Sequence, residues 1–120
     1  MNTFICYDRC STCRKAEKWL KDNGIEYVRR PIKEENPTAG ELGEWLARSG
    51  LGAKKLFNTS GKLYREMNLK DRLPDMTDAE MLELLAGDGM LVKRPILVTD
   101  DTVLFGFKET EWDEAVNNRR

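Results

Sequence analysis

The chain has 120 residues, of which 40% are hydrophobic and 34% charged, and this is enough for one domain with a core of its own. Its net charge of -1 gives no sign of direct nucleic-acid binding. No apolar run approaches the ~20 residues that span a bilayer, and the N-terminus lacks a leader pattern. We therefore expect a cytoplasmic protein that binds neither DNA nor a membrane.

The first thirty residues predict a strand, a helix and a second strand. Residues 4–7 form an apolar run typical of a strand, and a helical pattern follows from about Ser11 to Gly24. Glycine suits the left-handed position after a helix. Residues 25–28 then predict a short strand that Pro31 closes. Two strands around one helix indicate a βαβ unit with parallel strands.

A Cys-x-x-Cys motif, formed by Cys10 and Cys13, lies in the turn between the first strand and the first helix. The first helical turn offers unpaired N–H groups and the positive end of the helix dipole, and both favour a thiolate. Cationic neighbours, here Arg9, Arg14 and Lys15, typically lower a cysteine pKa from about 8.5 into the range ~3.5–7.5. We predict that Cys10 is a nucleophile and that Cys13, one turn later, resolves its mixed disulfide.

Two other interpretations of the cysteines are disfavoured. A zinc site needs four ligands, but the chain has three cysteines and no histidine, and Cys6 lies on an apolar strand like a small core residue. A structural disulfide is also not expected, because the chain can form a core without one and an odd cysteine would be left over. We expect a redox pair and no metal.

The middle of the chain predicts a helical insert over residues of about 38–88. Two Thr-x-x-Glu capping boxes begin at Thr38 and Thr77. The insert is predicted to contain helices over 38–50, 64–69 and 77–87 and a loop over 56–61. Trp45 and the methionines of this segment are expected to belong to its core.

The last thirty residues predict two strands and a helix. Residues 95–99 and 102–105 form strands joined by a two-residue turn, and residues 109–116 form a helix with Trp112 and Val116 facing inward. With the βαβ unit, this order predicts an α/β thioredoxin-like fold with a four-stranded mixed sheet. We expect one domain over 1–117 and a tail over 118–120.

The dipeptide Arg94-Pro95 at the start of the third strand is the second informative site. Proline has no backbone N–H to donate to a neighbouring strand, so it belongs at a strand end. In a thioredoxin-like fold, the proline at this place is cis and packs beside the cysteine turn. A trans proline with a solvated arginine is the alternative. We prefer the first interpretation, in which Arg94 stabilises the Cys10 thiolate and holds an oxyanion by a bidentate contact.

These motifs together resemble the ArsC/Spx family, nearest to its reductase-like members of unassigned substrate. The resemblance covers nearly the whole chain and rests on Cys10-Ser-Thr-Cys13, Asn58-Thr-Ser-Gly61 with Tyr64, residues 88–95 and Gly106-Phe107. It implies a thioredoxin fold, a nucleophile at Cys10 and a functional arginine at Arg94. It further implies that glutathione with glutaredoxin, or thioredoxin, supplies electrons, with no bound cofactor.

The sequence also departs from this family's arsenate reductases. Those enzymes hold the oxyanion with three arginines, whereas here Asn58 and Gly106 occupy two of the positions and only Arg94 remains. They also lack a partner like Cys13. We therefore expect a thiol-disulfide oxidoreductase acting on a small oxyanion or a protein disulfide, with arsenate reduction weak or not dedicated. The substrate-binding residues are expected to be Ser11, Thr12, Asn58, Arg94 and Pro95.

A second interpretation is a redox-sensing regulator of the Spx type. Such regulators are similar in using Cys-x-x-Cys as a switch, in keeping an arginine at Arg94, and in binding the RNA polymerase alpha subunit through a surface that includes a glycine matching Gly52. Gly52 is present, but it lies just after a helix, where glycine is also expected in a turn.

Overall fold

The fold is built on one four-stranded sheet with helices on both faces. The computed structural model describes residues 1–117, and the predicted tail lies outside the described residues. Its strands are β1 (Thr3–Cys6), β2 (Val28–Pro31), β3 (Ile96–Val98) and β4 (Val103–Phe105). Its α-helices are α1 (Ser11–Asp22), α2 (Ala39–Ser49), α3 (Lys62–Glu66), α4 (Leu69–Arg72), α5 (Asp78–Gly87) and α6 (Glu109–Val116). Short 3₁₀ turns cover Ala53–Leu56, Leu73–Asp75 and Gly89–Leu91.

The sheet is mixed, in the order β2-β1-β3-β4. β1 pairs in parallel with β2, as a βαβ crossover requires, while β1 with β3 and β3 with β4 are antiparallel. The predicted thioredoxin-like α/β fold with an inserted helical segment is confirmed, because α2 to α5 all lie between β2 and β3. None of the helices among residues 1–117 is long and apolar enough to cross a membrane.

Alternation along the strands divides the core into two layers. Phe4 and Cys6 of β1 face a layer that α1 and α6 close with Leu20 and Trp112, all of them buried. Ile5 faces the opposite layer, which the helices of the insert complete. The cysteine turn thus begins at the end of a central strand that is buried on both faces.

The second strand lies further along the chain than the sequence predicts. The N–H of Ile25 donates to the Leu20 carbonyl, 3.0 Å away, while Gly24 adopts a left-handed φ of 67°. This hydrogen bond caps the C-terminal end of α1 and holds Ile25 against the helix. Pairing with β1 therefore begins only at Val28, so the predicted strand over 25–28 is wrong by three residues at its start.

The insert keeps its predicted capping boxes but not its predicted central helix. The side chains of Thr38 and Thr77 each accept from the backbone N–H of the glutamate three residues later, at 3.1 Å. The predicted helix over 64–69 is instead two short helices, α3 and α4, because Asn68 between them is left-handed with φ 53°. The predicted loop over 56–61 is partly ordered by a bridge between Phe57 and Val92.

The final hairpin and helix form as predicted, with shorter strands. The N–H of Thr99 donates to the Thr102 carbonyl at 2.9 Å, which closes a two-residue turn. Trp112 is fully buried, and its indole N–H donates to the Gly106 carbonyl at 3.0 Å. Helix α6 is thereby fixed across the end of β4.

Candidate redox site at the start of the first helix

Cys10 and Cys13 occupy the first turn of α1. Cys10 is the N-cap residue, and its Sγ accepts a hydrogen bond from the backbone N–H of Cys13 at 3.4 Å. Its own N–H donates to the Tyr7 carbonyl at 3.0 Å, which fixes the turn between β1 and α1. Cys13 is 3% exposed, whereas Cys10 is half-buried. All three cysteines of the chain are free thiols.

The two thiols of the motif differ strongly in acidity. Burial raises the pKa of Cys10, but hydrogen bonds from Cys13, the charge of Arg94 and the Thr12 N–H outweigh it and leave this pKa below its usual value. Burial is also the largest influence on Cys13 and, with the neighbouring Cys10 thiolate, raises its pKa to about 12. Cys10 is therefore the more acidic thiol of the pair, and Cys13 is the less acidic one.

The third cysteine has the properties of a core residue. Cys6 is 1% exposed, and burial raises its pKa to about 11. A thiol that is both buried and protonated is a poor nucleophile.

Arg94 lies beside the cysteine turn, and the peptide bond between Arg94 and Pro95 is cis. The Arg94 guanidinium lies over the ring of Tyr7, with 5.0 Å between its Cζ and the ring centroid. Its Nη1 is 3.4 Å from the Met90 carbonyl oxygen, while its Nε is buried and has no partner among the described residues. A buried N–H without a partner has a free-energy cost.

Tyr7 is a residue of the site that sequence reasoning missed. Its backbone N–H donates to the Cys13 Sγ at 3.4 Å, and its ring supports Arg94. The sequence pattern placed it in the first strand, but β1 ends at Cys6. Its position three residues before the motif was the available signal.

The other predicted cations lie at the exposed surface of the cysteine turn. Arg14 turns away, and its Nη1 donates to the Asp8 carbonyl at 3.0 Å. Arg9 and Lys15 are exposed. Arg94, which is distant in sequence, is the cation with the largest effect on the pKa of Cys10.

The predicted substrate-binding residues fall into two groups. Ser11 and Thr12 are exposed in the first turn of α1, next to Cys10. Asn58 lies in a separate turn, where its N–H donates to the Leu91 carbonyl at 2.8 Å. Among residues 1–117, no hydrogen bond joins its side chain to Cys10 or Arg94.

An ionic network, also unforeseen from the sequence, ties the cysteine turn to the sheet. Arg29 of β2 forms an ion pair with Asp8 in the turn, and its Nε lies 3.3 Å from Glu17 Oε2 on α1. The hydroxyl of Tyr27 donates to the same Glu17 oxygen at 2.8 Å. Both sides of the motif are thereby linked to β2. Within the described part of the chain, no group of three metal-ligating side chains is present.

The chain is similar in sequence to known proteins over most of its length. The model of the ArsC family matches residues 6–115. The chain is 50% identical over 112 residues to the uncharacterized protein YusI of Bacillus subtilis strain 168, covering 93% of this chain and 95% of YusI. It is 35% identical over 109 residues to the regulatory protein MgsR of the same organism, covering 91% of this chain and 85% of MgsR.

The fold is also similar to solved structures over most of the chain. An ArsC family related protein from Bacteroides fragilis superposes with a TM-score of 0.92 at 52% identity, covering 94% of this chain and 95% of that one. A possible arsenate reductase from Streptococcus mutans UA159 superposes with a TM-score of 0.86 at 43% identity, covering 94% of this chain and 98% of that one.

Proposed function

The chain belongs to the ArsC family, and on that premise we propose that it is a cytoplasmic thiol-disulfide oxidoreductase with Cys10 as nucleophile and Cys13 as resolving thiol. The observation that carries this proposal is the contrast between the two thiols. Cys10 has a lowered pKa at a helix N-terminus, and Cys13 has a raised pKa within one turn of it.

The reaction proceeds by two thiol-disulfide exchanges. The Cys10 thiolate attacks one sulfur of a substrate disulfide, forms a mixed disulfide and releases the other sulfur as a thiolate. The hydrogen bond and charge of Cys10, which help to raise the pKa of Cys13, are lost once Cys10 is no longer a thiolate. Cys13 then gives up its proton, attacks the Cys10 sulfur, and frees the second substrate thiol. Glutathione with glutaredoxin, or thioredoxin, reduces the resulting Cys10–Cys13 disulfide.

A small oxyanion is a second substrate class for the same thiolate. The N–H groups at Ser11 and Thr12 in the first turn of α1 and the positive charge of Arg94, which precedes the buried Pro95, favour an anion beside Cys10. This supports weak arsenate reduction, since one arginine offers a fork for an anion.

Replacing the resolving thiol tests the proposal. The Cys13→Ser variant should react with oxidised glutathione at Cys10 but retain the adduct, whereas the wild-type chain should release glutathione and form an internal disulfide. Intact-mass measurement distinguishes the two products. The matched control is Cys6→Ala, which removes a buried thiol of similar size and should resolve like the wild type. Equally fast release from Cys13→Ser would refute the role of Cys13.

A regulatory role is the second candidate, and the identity with MgsR favours it. Gly52 follows Leu51, which is 41% exposed, and a Cβ at Gly52 would meet no atom within 4 Å. A Gly52→Arg substitution should therefore leave the fold intact while changing this surface. If the protein is a regulator, purified RNA polymerase alpha subunit should bind the wild-type chain and not the variant, with affinity that depends on Cys10–Cys13 oxidation. Equal retention of both chains, or of neither, would reject this role.

A further inference from the structure

The Arg94 guanidinium is held by few polar contacts. Among residues 1–117, none of the ion pairs with a carboxylate involves Arg94. Its Nη1 lies 3.4 Å from the Met90 carbonyl oxygen and 3.5 Å from that of Val92, which is longer than a typical N–H···O hydrogen bond. The remaining contact is the face of the Tyr7 ring, whose centroid is 5.0 Å from the Arg94 Cζ.

An aromatic ring can hold a cation without neutralising it. The face of the Tyr7 ring attracts the guanidinium through its quadrupole but carries no net charge. A carboxylate at the same place would also attract Arg94, but its negative charge would oppose the effect of Arg94 on the Cys10 sulfur. Arg30 shows that arrangement, because it forms an ion pair with Glu41 at 2.7 Å. The contact with Tyr7 therefore leaves the full charge of Arg94 to act on Cys10.

The backbone of Tyr7 fixes its position relative to the two thiols. Its carbonyl accepts from the Cys10 N–H at 3.0 Å, and its own N–H donates to the Cys13 Sγ at 3.4 Å. Its ring packs against the core layer completed by the insert, whereas both thiols belong to the layer of α1. Tyr7 thus joins the cysteine turn to Arg94. Since both hydrogen bonds use backbone N–H and C=O groups of Tyr7, a substitution of its side chain leaves them in place.

We propose that Tyr7 is a positioning residue whose ring holds the Arg94 guanidinium beside the Cys10 thiol. This rests on the proposed function, in which Cys10 is the nucleophile, and adds a residue that acts on Cys10 only through Arg94. The aromatic face carries the effect and the phenol group does not, because the Tyr7 hydroxyl has no hydrogen-bond partner within the described part of the chain.

The other charged or titratable groups around the Cys10 thiol do not depend on the Tyr7 side chain. They lie on the cysteine turn, on α1 and on β2, and they are Asp8, Arg9, Cys13, Arg14 and Arg29. Among the residues that the structure describes, no hydrogen bond or ion pair joins any of them to the Tyr7 side chain. A substitution of the ring therefore changes the charge near Cys10 through Arg94 alone.

The pH dependence of Cys10 alkylation tests this role. The Tyr7→Leu variant should move the midpoint of the profile upward by about half a pH unit, since a cation–π contact contributes about 0.5–1 kcal/mol and one pKa unit is about 1.4 kcal/mol. Tyr7→Phe keeps the aromatic face and should follow the wild-type profile. The matched control is Tyr64→Leu, because Tyr64 is also half-buried and packs against the same core layer, but its ring contacts Phe57. This control should leave the profile unchanged.

A double variant and a measurement on the wild-type chain complete the test. Because Tyr7 acts through Arg94, Tyr7→Leu should cause no further shift in an Arg94→Ala background. In the wild-type chain, the ring current of Tyr7 should move the NMR resonances of the Arg94 guanidinium protons upfield, relative to the same chain unfolded in urea. The second measurement does not require that any variant folds.

Five results would overturn the role of Tyr7. They are an unchanged profile in Tyr7→Leu, a shift in Tyr7→Phe as large as in Tyr7→Leu, an equal shift in Tyr64→Leu, an additive shift in the double variant, and Arg94 resonances without an upfield shift. If wild-type Cys10 is still more reactive than a cysteine peptide, each of these rejects the role of Tyr7 and leaves the proposed function standing. A wild-type Cys10 no more reactive than such a peptide would reject both.

Discussion

The difference in acidity between the three thiols predicts a steep order of alkylation rates. The pKa of Cys13 is about 12 and that of Cys6 about 11, while the pKa of Cys10 lies below its usual value. Only the thiolate reacts. At pH 7, about one Cys13 side chain in 10⁵ and about one Cys6 in 10⁴ is ionised, against about 3% of a free cysteine with a pKa of about 8.5.

The Cys10→Ser variant makes this contrast measurable. Burial is the largest cause of the raised pKa of Cys13, so removing the Cys10 thiolate lowers that pKa only in part. Iodoacetamide at pH 7 should modify the wild-type chain at Cys10, with reaction beginning well below pH 8. Any modification of folded Cys10→Ser should be at least ~100-fold slower.

Peptide mapping by mass spectrometry assigns the modified residue and its rate. Unfolding in guanidinium chloride serves as the control, because all remaining thiols should then react alike. Alkylation of Cys13 in folded Cys10→Ser at the rate of a free cysteine would refute the assignment of roles. So would a Cys10 in the wild-type chain no more reactive than a cysteine peptide.

Three further predictions concern Arg94 and the stability of the fold. Arg94→Lys should shift the pH at which Cys10 becomes reactive toward alkylation slightly upward, and Arg94→Ala should shift it clearly upward. Both variants should also weaken the binding of arsenate or sulfate. If Arg94→Ala changes neither the pH profile nor anion binding, Arg94 is only a surface residue. Hydrogen bonding to Arg30 lowers the pKa of Glu41 to about 2. The Glu41 carboxylate therefore stabilises the folded chain fully above the ordinary glutamate pKa of about 4.3, and this stabilisation is lost as the pH falls toward 2. With solvent screening of this partly exposed carboxylate taken into account, Glu41→Gln should lower the free energy of unfolding by about 1–2 kcal/mol at pH 7 and hardly at all at pH 2. An equal loss at both pH values would contradict the predicted pH dependence. Gly89→Ala should cost about 1–3 kcal/mol in denaturant unfolding, because its Cβ would lie 2.7 Å from the Ile32 carbonyl oxygen, whereas the control Gly87→Ala meets no atom within 4 Å and should be neutral or stabilising.

Local sequence signals predicted the elements of this fold well. The capping boxes at Thr38 and Thr77 and the two-residue turn after Thr99 depend on residues close in sequence, and each forms as expected. The predicted element boundaries were wrong where the local signal was ambiguous. Ile25, predicted to begin a strand, is hydrogen-bonded to the end of α1, and a left-handed Asn68 divides the predicted central helix.

The sequence by itself determined that a cysteine caps the first helix. The spacing of Cys10 and Cys13 after an apolar strand was enough for that, because helix capping is a short-range property. Only the tertiary structure decided how strongly the acidities of the two thiols differ, because burial and a distant charge set their pKa values. Burial of Cys13 beneath the turn and the approach of Arg94 over Tyr7 join segments far apart in the chain. The sequence had pointed to Arg94 as a stabilising cation, but desolvation and charge act through space, so the position of Arg94 over Tyr7 and the burial of Cys13 followed only from the fold.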